Sequence, residues 1–224
     1  MQTRTGDELI ERIRAHSTDD AVVGPAANDL LDELYRGYPV ENLRVLLQGD
    51  EPSARTGAWL LSELGERAAP LLDDVAVLLA HRHRNVRFFA VDVVLENAGG
   101  DDGPLIARTI NLITDPESAV RWKVLGFLAD ATTEQLMAGA AHLPPGRLAD
   151  LARWLIGYDT GEPDRAEVAA GLSAPDPLTR LFAVAVAARL AEEDTALLEQ
   201  AAAAADEEVR TFARERLEDA VSSG

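Results

Sequence analysis

One short pattern returns along this chain at nearly even intervals, and it limits the possible folds more than any other feature. It is plainest in Asn85-Val86-Arg87-Phe88-Phe89-Ala90-Val91-Asp92-Val93-Val94-Leu95 and in Ala119-Val120-Arg121-Trp122-Lys123-Val124-Leu125-Gly126-Phe127-Leu128. Related copies begin at Ala54, Thr179 and Val209, and a degenerate one runs from Ala152 to Ile156. The arginines therefore stand at 55, 87, 121, 153, 180 and 210, with gaps of 32, 34, 32, 27 and 30. In most copies the residue before the arginine is apolar, as are the third and the sixth or seventh after it. That spacing keeps one face of a helix apolar. Turns rich in Asp, Ser and Pro precede most copies: Gly49–Ser53, Asp115–Ser118, Pro175–Pro177 and Asp206–Glu208. Asp and Ser can cap the free amides of a helix start, and proline is tolerated in the first turn.

A second apolar-periodic stretch lies between successive copies, at Glu41–Leu47, Pro70–Ala80, Pro104–Thr114, Glu134–His142, Arg165–Leu172 and Ala196–Ala205. No segment alternates apolar and polar residues between hairpin turns, as a strand would. Two helices per period, stacked in series, describe an all-α chain of the α-solenoid kind.

Composition agrees with this and removes several classes of function. Of 224 residues, 47% are hydrophobic and 27% charged, the balance of a packed chain rather than a disordered one. There is no cysteine, which excludes disulfides, thiolate metal sites and cysteine nucleophiles. No apolar run approaches the about 20 residues that span a bilayer. The first sixteen residues alternate in charge, unlike a secretory leader. A soluble cytoplasmic protein is expected, with no membrane partner. The 21 basic against 39 acidic residues give a net charge of −18, and Lys123 is the only lysine. Nucleic-acid backbones are held by Lys and Arg, so no nucleic-acid partner is expected. Self-repulsion at this charge opposes association, so a monomer is expected. Twenty arginines against one lysine, with abundant Ala and Leu, is the bias of a high-GC coding sequence and points to a bacterial source.

An Asp/Pro-containing turn followed by Val-Arg-x-x-Ala-x-x-x-Leu resembles the second helix of a HEAT repeat. The resemblance covers about residues 40–220 and is most specific at Asn85–Leu95, Val120–Leu128 and Val209–Leu217. It implies one domain over 1–224, a right-handed solenoid of about six to seven HEAT-like helix pairs. Residues 1–40 would be N-terminal capping helices, 41–220 the repeats, and the repeat near 143–165 degenerate. There Gly157 and the segment Tyr158–Pro163 are expected to cut the helix short. HEAT proteins usually bind other proteins on a curved surface and rarely catalyse. In the family the repeated arginine usually ties neighbouring turns together, and Asp50, Asp115, Asp176 and Asp206 are available as its partners.

The resemblance also implies a site. Second helices usually line the concave face, and positions one, five and eight or nine after the arginine would point into it. These are Leu60 and Glu63, then Phe88, Asp92 and Glu96, then Trp122, Gly126 and Asp130, with Trp59 and Trp154 one step away. The expected partner-binding set is Trp59, Glu63, Phe88, Asp92, Glu96, Trp122 and Asp130. Aromatics would anchor a basic protein while carboxylates steer its approach. The competing reading makes Phe88, Trp122 and Trp154 ordinary packing, the commonest use of aromatics.

Other groups offer no catalytic constellation. His81 and His83 lie at an inter-helix turn without a third ligand, so no metal is expected. Carboxylate pairs at Asp19-Asp20, Asp73-Asp74, Asp101-Asp102 and Glu192-Glu193-Asp194 are neighbours in sequence. Neighbours on a helix diverge by about 100° and do not face one another across a pocket. No nucleotide-binding glycine pattern or serine elbow occurs, and no cofactor is expected.

The expected function is a non-enzymatic protein-binding scaffold, one form of which is an inhibitor or immunity-type protein that caps a basic target. A regulatory or assembly subunit of a larger complex explains the same features. A HEAT-like enzyme, related to DNA glycosylases or bilin lyases, fits poorly because the expected groove is acidic.

Overall fold

The computed structural model describes residues 2–161, 164–192 and 194–222. Glu162 and Pro163 of the expected helix break, and Glu193 of the acidic run, lie outside them. Among the described residues every regular element is helical and none is a strand. The chain divides into two compact units, Met1–Ala98 and Gly99–Gly224.

The first unit contains α1 (Gln2–Ala15), α2 (Asp20–Tyr35), α3 (Arg44–Leu47), α4 (Glu51–Ser62), α5 (Leu72–Leu78) and α6 (Arg84–Asn97). Short 3-10 stretches at Val40–Leu43 and Gly65–Leu71 lead into α3 and α5. Starts follow the capping chemistry read from the sequence. Asp19 accepts from the Ala21 amide at 3.1 Å and Asp50 from the Ser53 amide at 3.0 Å, with Pro52 in the first turn of α4. Packing follows chain order: α1 lies on α2, α3 on α4, α5 on α6, and α4 bridges to α6. The core runs through Leu30, Leu43, Leu60, Leu71, Val86 and Ala90, all fully buried. Leu60 corrects the expectation that it points into a concave binding face. The reason is that α4 is covered by both α3 and α6, so two of its faces are apolar.

The second unit contains α7 (Gly103–Asn111), α8 (Ser118–Asp130), α9 (Thr133–His142), α10 (Arg147–Thr160), α11 (Arg165–Leu172), α12 (Pro177–Arg189), α13 (Ala196–Ala202) and α14 (Glu207–Ser222). Its packing does not keep to chain order. Helix α12 touches α8, α10, α11, α13 and α14, and α14 also reaches α8. The sequence explains why: Leu181–Ala187 is an unbroken apolar run, every residue is buried, and a helix apolar all round must be covered all round. Phe182 at its centre is fully buried, a burial worth about 2–3 kcal/mol.

Helix α10 is a second correction. It is 14 residues long and passes through Gly157 to Thr160. An interior glycine costs about 1 kcal/mol. Here the ring of Trp154 meets Tyr158 edge-on at 5.0 Å and the Tyr158 hydroxyl donates to Glu167 at 2.9 Å, which offsets that cost.

The arginine column has a common geometry. Nη1 of Arg87, Arg121, Arg180 and Arg210 donates to the carbonyls six and five residues earlier, those of His81 and Arg82, Asp115 and Pro116, Ala174 and Pro175, and Ala204 and Ala205. These carbonyls belong to the turn before each helix and have no helical partner, so one guanidinium fixes the turn that the helix starts from. Arg180 also spends Nε and Nη2 on Asp206, at 2.9 and 2.7 Å. Arg55 faces Asp20 at 3.5 Å, while Arg153 of the degenerate copy pairs with Asp150 at 2.7 Å.

Candidate interaction site

Five of the seven expected binding residues lie in the first unit. Trp59 is half-buried on α4, and the exposed Glu63 ends that helix, where its carbonyl accepts the Tyr35 hydroxyl. Phe88 and Asp92 are half-buried on α6, and Glu96 is exposed one turn further on. Phe88 meets Phe89 edge-on at 5.5 Å, so part of its ring is packing. Along α6 these three recur every four residues and share one helix face.

Trp122 and Asp130 belong to the second unit, where α14 lies along the line on α8 that the sequence marks as binding surface. Two ion pairs join these helices: Arg121 to Glu208 at the N-terminal end, with Nε–Oε2 at 3.2 Å, and Asp130 to Arg216 at 2.5 Å further on. A Cβ on Gly126 would stand 3.7 Å from the Arg216 guanidinium. Asp130 is thus committed within the chain, while Trp122 keeps 36% of its surface exposed.

Around the first of these pairs a cleft of about 520 Å³ opens, lined by Ser118, Ala119, Trp122, Leu125, Thr211 and Glu207 together with Arg121 and Glu208 themselves. Its electrostatics follow from three consecutive carboxylates at the head of α14. Burial works to raise the Asp206 pKa, but the Arg180 guanidinium and the amides of Val209 and Glu208 outweigh it and hold Asp206 below the usual carboxylate range. Glu208 is taken by Arg121. Glu207 is exposed and has no ion-pair partner among the described residues. Arg121 spends four of its five N–H donors, Nη1 on two carbonyls and Nε and Nη2 on Glu208. The cleft therefore offers an unspent acceptor and an aromatic ring, and the one cation in its lining, Arg121, is paired with Glu208.

Sequence reasoning found Trp122 but missed Glu207, Leu125, Thr211 and the two arginine partners. Their separations of 86 and 87 residues are nearly three periods, and a periodic pattern speaks only for neighbouring copies.

The remaining candidates have structural roles. His83 caps α6, accepting from the Asn85 amide at 3.2 Å, and the His83 amide donates to His81 Nδ1 at 3.0 Å. Burial lowers the His81 pKa. Asp20 and Asp74 pair with Arg55 and Arg44, and Asp102 accepts the Gly99 amide. Among the described residues no group of three His, Asp or Glu could hold a metal ion, and no helix is long and apolar enough to cross a membrane. Fold and cleft together define an all-helical chain with an acidic, aromatic-lined surface groove in its second unit. No family model matches the chain, and no curated protein is significantly similar to it.

Proposed function

We propose that this chain is a HEAT-like repeat protein of the solenoid class that works as a non-enzymatic interaction module and binds a basic protein. The observation that carries the reading is the α8–α14 cleft, where the exposed residues Trp122 and Glu207 stand together in a chain of net charge −18. The repeated arginine–carbonyl geometry supports the repeat assignment. An inhibitor that caps a basic target such as a nuclease is one form this function takes. Carboxylates steer such a partner over distances set by the Debye length, about 8 Å at physiological salt, and an aromatic anchors it on arrival.

The test is capture from the native lysate on the immobilised chain, washed first at low and then at high salt. A single basic protein released by salt is the expected result, with on-rate falling as ionic strength rises. Reversal of Glu63, Asp92 and Glu96 to lysine separates the first unit's surface from the cleft: lost capture would assign the contact to α4 and α6. A neutral multi-subunit complex retained at high salt would overturn the reading and make the chain an assembly subunit.

A further inference from the structure

We infer that the α8–α14 cleft receives one arginine side chain from an extended basic segment of the partner, with Glu207 as its ionic partner and Trp122 as the surface its flat guanidinium lies against. The inference rests on the basic-partner reading and assigns a place and a chemistry to it.

The size of the occupant follows from the packing of the two helices. Helix α12 packs on both α8 and α14, and Arg121–Glu208 ties them beside the cleft. Helices held in this way do not part to admit a third, which needs about 8–10 Å between axes on each side. A side chain with a little flanking backbone fits the remaining volume.

The sign of its charge follows from the donor and acceptor balance. An anion needs free donors. The charge of Arg121 is already met by Glu208, and the head of α14 is already capped by Asp206, which accepts from the Glu208 and Val209 amides at 3.1 and 3.3 Å. Glu207 is an acceptor without an ion-pair partner among the described residues. The apolar floor of Leu125, Ala119 and the Thr211 methyl suits an alkyl stem that lies flat while its head stays polar. Arginine is preferred to lysine because a planar, weakly hydrated guanidinium stacks on an indole and also binds a carboxylate through two donors. Lys123 already lies over the Trp122 ring at 5.8 Å, so the ring accommodates a cation.

The probes are an acetylated, amidated nonapeptide with three arginines spaced by Gly-Ser, the same peptide with lysine, and the same with citrulline, the neutral isostere of arginine. Titration calorimetry on the unaltered chain is paired with Trp122 emission in a Trp59→Phe/Trp154→Phe variant. The arginine peptide is expected to bind roughly tenfold more tightly than the citrulline peptide and to change Trp122 emission saturably, with lysine between them. Glu207→Gln, at an exposed position, is expected to weaken the arginine peptide about fivefold to tenfold and leave citrulline binding unchanged. Equal binding of arginine and citrulline peptides, or no effect of Glu207→Gln, overturns the assignment. Calorimetry decides the matter if the double tryptophan variant fails to fold. If the captured basic protein binds Glu207→Lys as well as the parent chain, the cleft assignment falls while the basic-partner reading stands. Absence of any basic partner in the capture overturns the reading itself.

Discussion

The two units are wired over different distances along the chain. In residues 2–98 five side-chain bonds between different helices and turns span one period: Tyr38–Asp7, Ser17–Asp50, Arg44–Asp74, Arg67–Tyr35 and Asn97–Gly65 are separated by 30 to 33 residues. The second unit has such bonds too, among them Arg180–Asp206 and Arg147–Thr179. It adds bonds at 58 to 61 residues, from Arg189 to the end of α8 and the turn beyond it, and at 86 and 87 residues, from α8 to α14. A unit held only by neighbour-to-neighbour terms has nearly additive stability and frays from an end. A unit closed by contacts two and three periods apart unfolds as one block. The same repeated sequence pattern therefore supports two kinds of cooperativity, and the non-repeating residues decide which.

The largest test of that difference is Arg189. Its Nη1 donates to the carbonyls of Leu128, Ala129 and Ala131 at 3.0, 2.9 and 2.8 Å, and Nε and Nη2 grip Asp159 at 2.8 and 2.6 Å. Both side chains are only 13% exposed, and Thr133 donates to the same carboxylate at 3.0 Å. One guanidinium thus joins the C-terminal ends of α8, α10 and α12. Arg189→Ala leaves a shielded carboxylate with only the Thr133 hydroxyl and strands three carbonyls, and is expected to cost about 3–5 kcal/mol. Denaturant melts would give the size. Amide exchange gives the pattern, with α8, α10, α12 and α14 losing protection together while α1–α6 keep theirs. Protection lost only around residues 128–131 would show that the second unit also unfolds piecemeal.

Arg189 also marks where the sequence stops being legible. What is local could be read: α11 spans Arg165–Leu172, the bounds that apolar spacing gives, and Asp50, Asp176 and Asp206 cap the helices they precede. The arginine column was legible as a structural feature, and Asp206, named among its available partners, takes Arg180; the carbonyls five and six residues before each arginine were not read. Arg189 has no counterpart in the other copies, so alignment of the copies hides it. Its one signal is position, as the first charge after the apolar run that ends at Ala188. That run also foretold a helix covered on every side, which repeat-by-repeat reading averages away. Gly157 misled because it was weighed as a helix stop without the Trp154–Tyr158–Glu167 contacts that carry α10 past it. For the candidate site, Trp122 was legible as an aromatic beside a repeated arginine, whereas Glu207 gains its meaning from α8, nearly three periods away.

A middle-sized effect compares two capping aspartates, one in each unit. Asp50 accepts from the Ser53 amide and from the Ser17 hydroxyl at 2.7 Å, and the Ser53 and Ser17 side chains hold its pKa below the usual range. Asp206 caps α14 and also receives the Arg180 fork. Asp206→Ala is expected to cost about 2 kcal/mol and Asp50→Ala about 1 kcal/mol, the excess being the stranded guanidinium. The pH dependence follows from the depressed values. The folded state prefers the carboxylate, so both contributions are full above the unfolded carboxyl value near about 4 and are lost as pH falls through the lower folded one. Acid unfolding followed by circular dichroism should therefore lose steepness between pH 4 and 2 in both variants, and more in Asp206→Ala. Equal flattening would mean that Arg180 adds nothing to the cap.

The smallest effect separates chain distance from bond strength. Arg216–Asp130 closes 86 residues and Arg44–Asp74 closes 30. Free loops of those lengths would differ in closure cost by about 1 kcal/mol. That cost is already met in the folded second unit, because α12 packs on both α8 and α14 and brings their faces together without the ion pair. Each pair then contributes only its own Coulomb and hydrogen-bond energy less side-chain ordering. At 26% and 45% exposure for Arg216 and Asp130, against 42% and 21% for Arg44 and Asp74, both fall below about 1 kcal/mol. Arg216→Ala and Arg44→Ala should shift denaturant midpoints by similar small amounts, and both shifts should shrink in 1 M salt. A much larger loss of stability in Arg216→Ala would show that the ion pair, and not α12, holds α14 against α8.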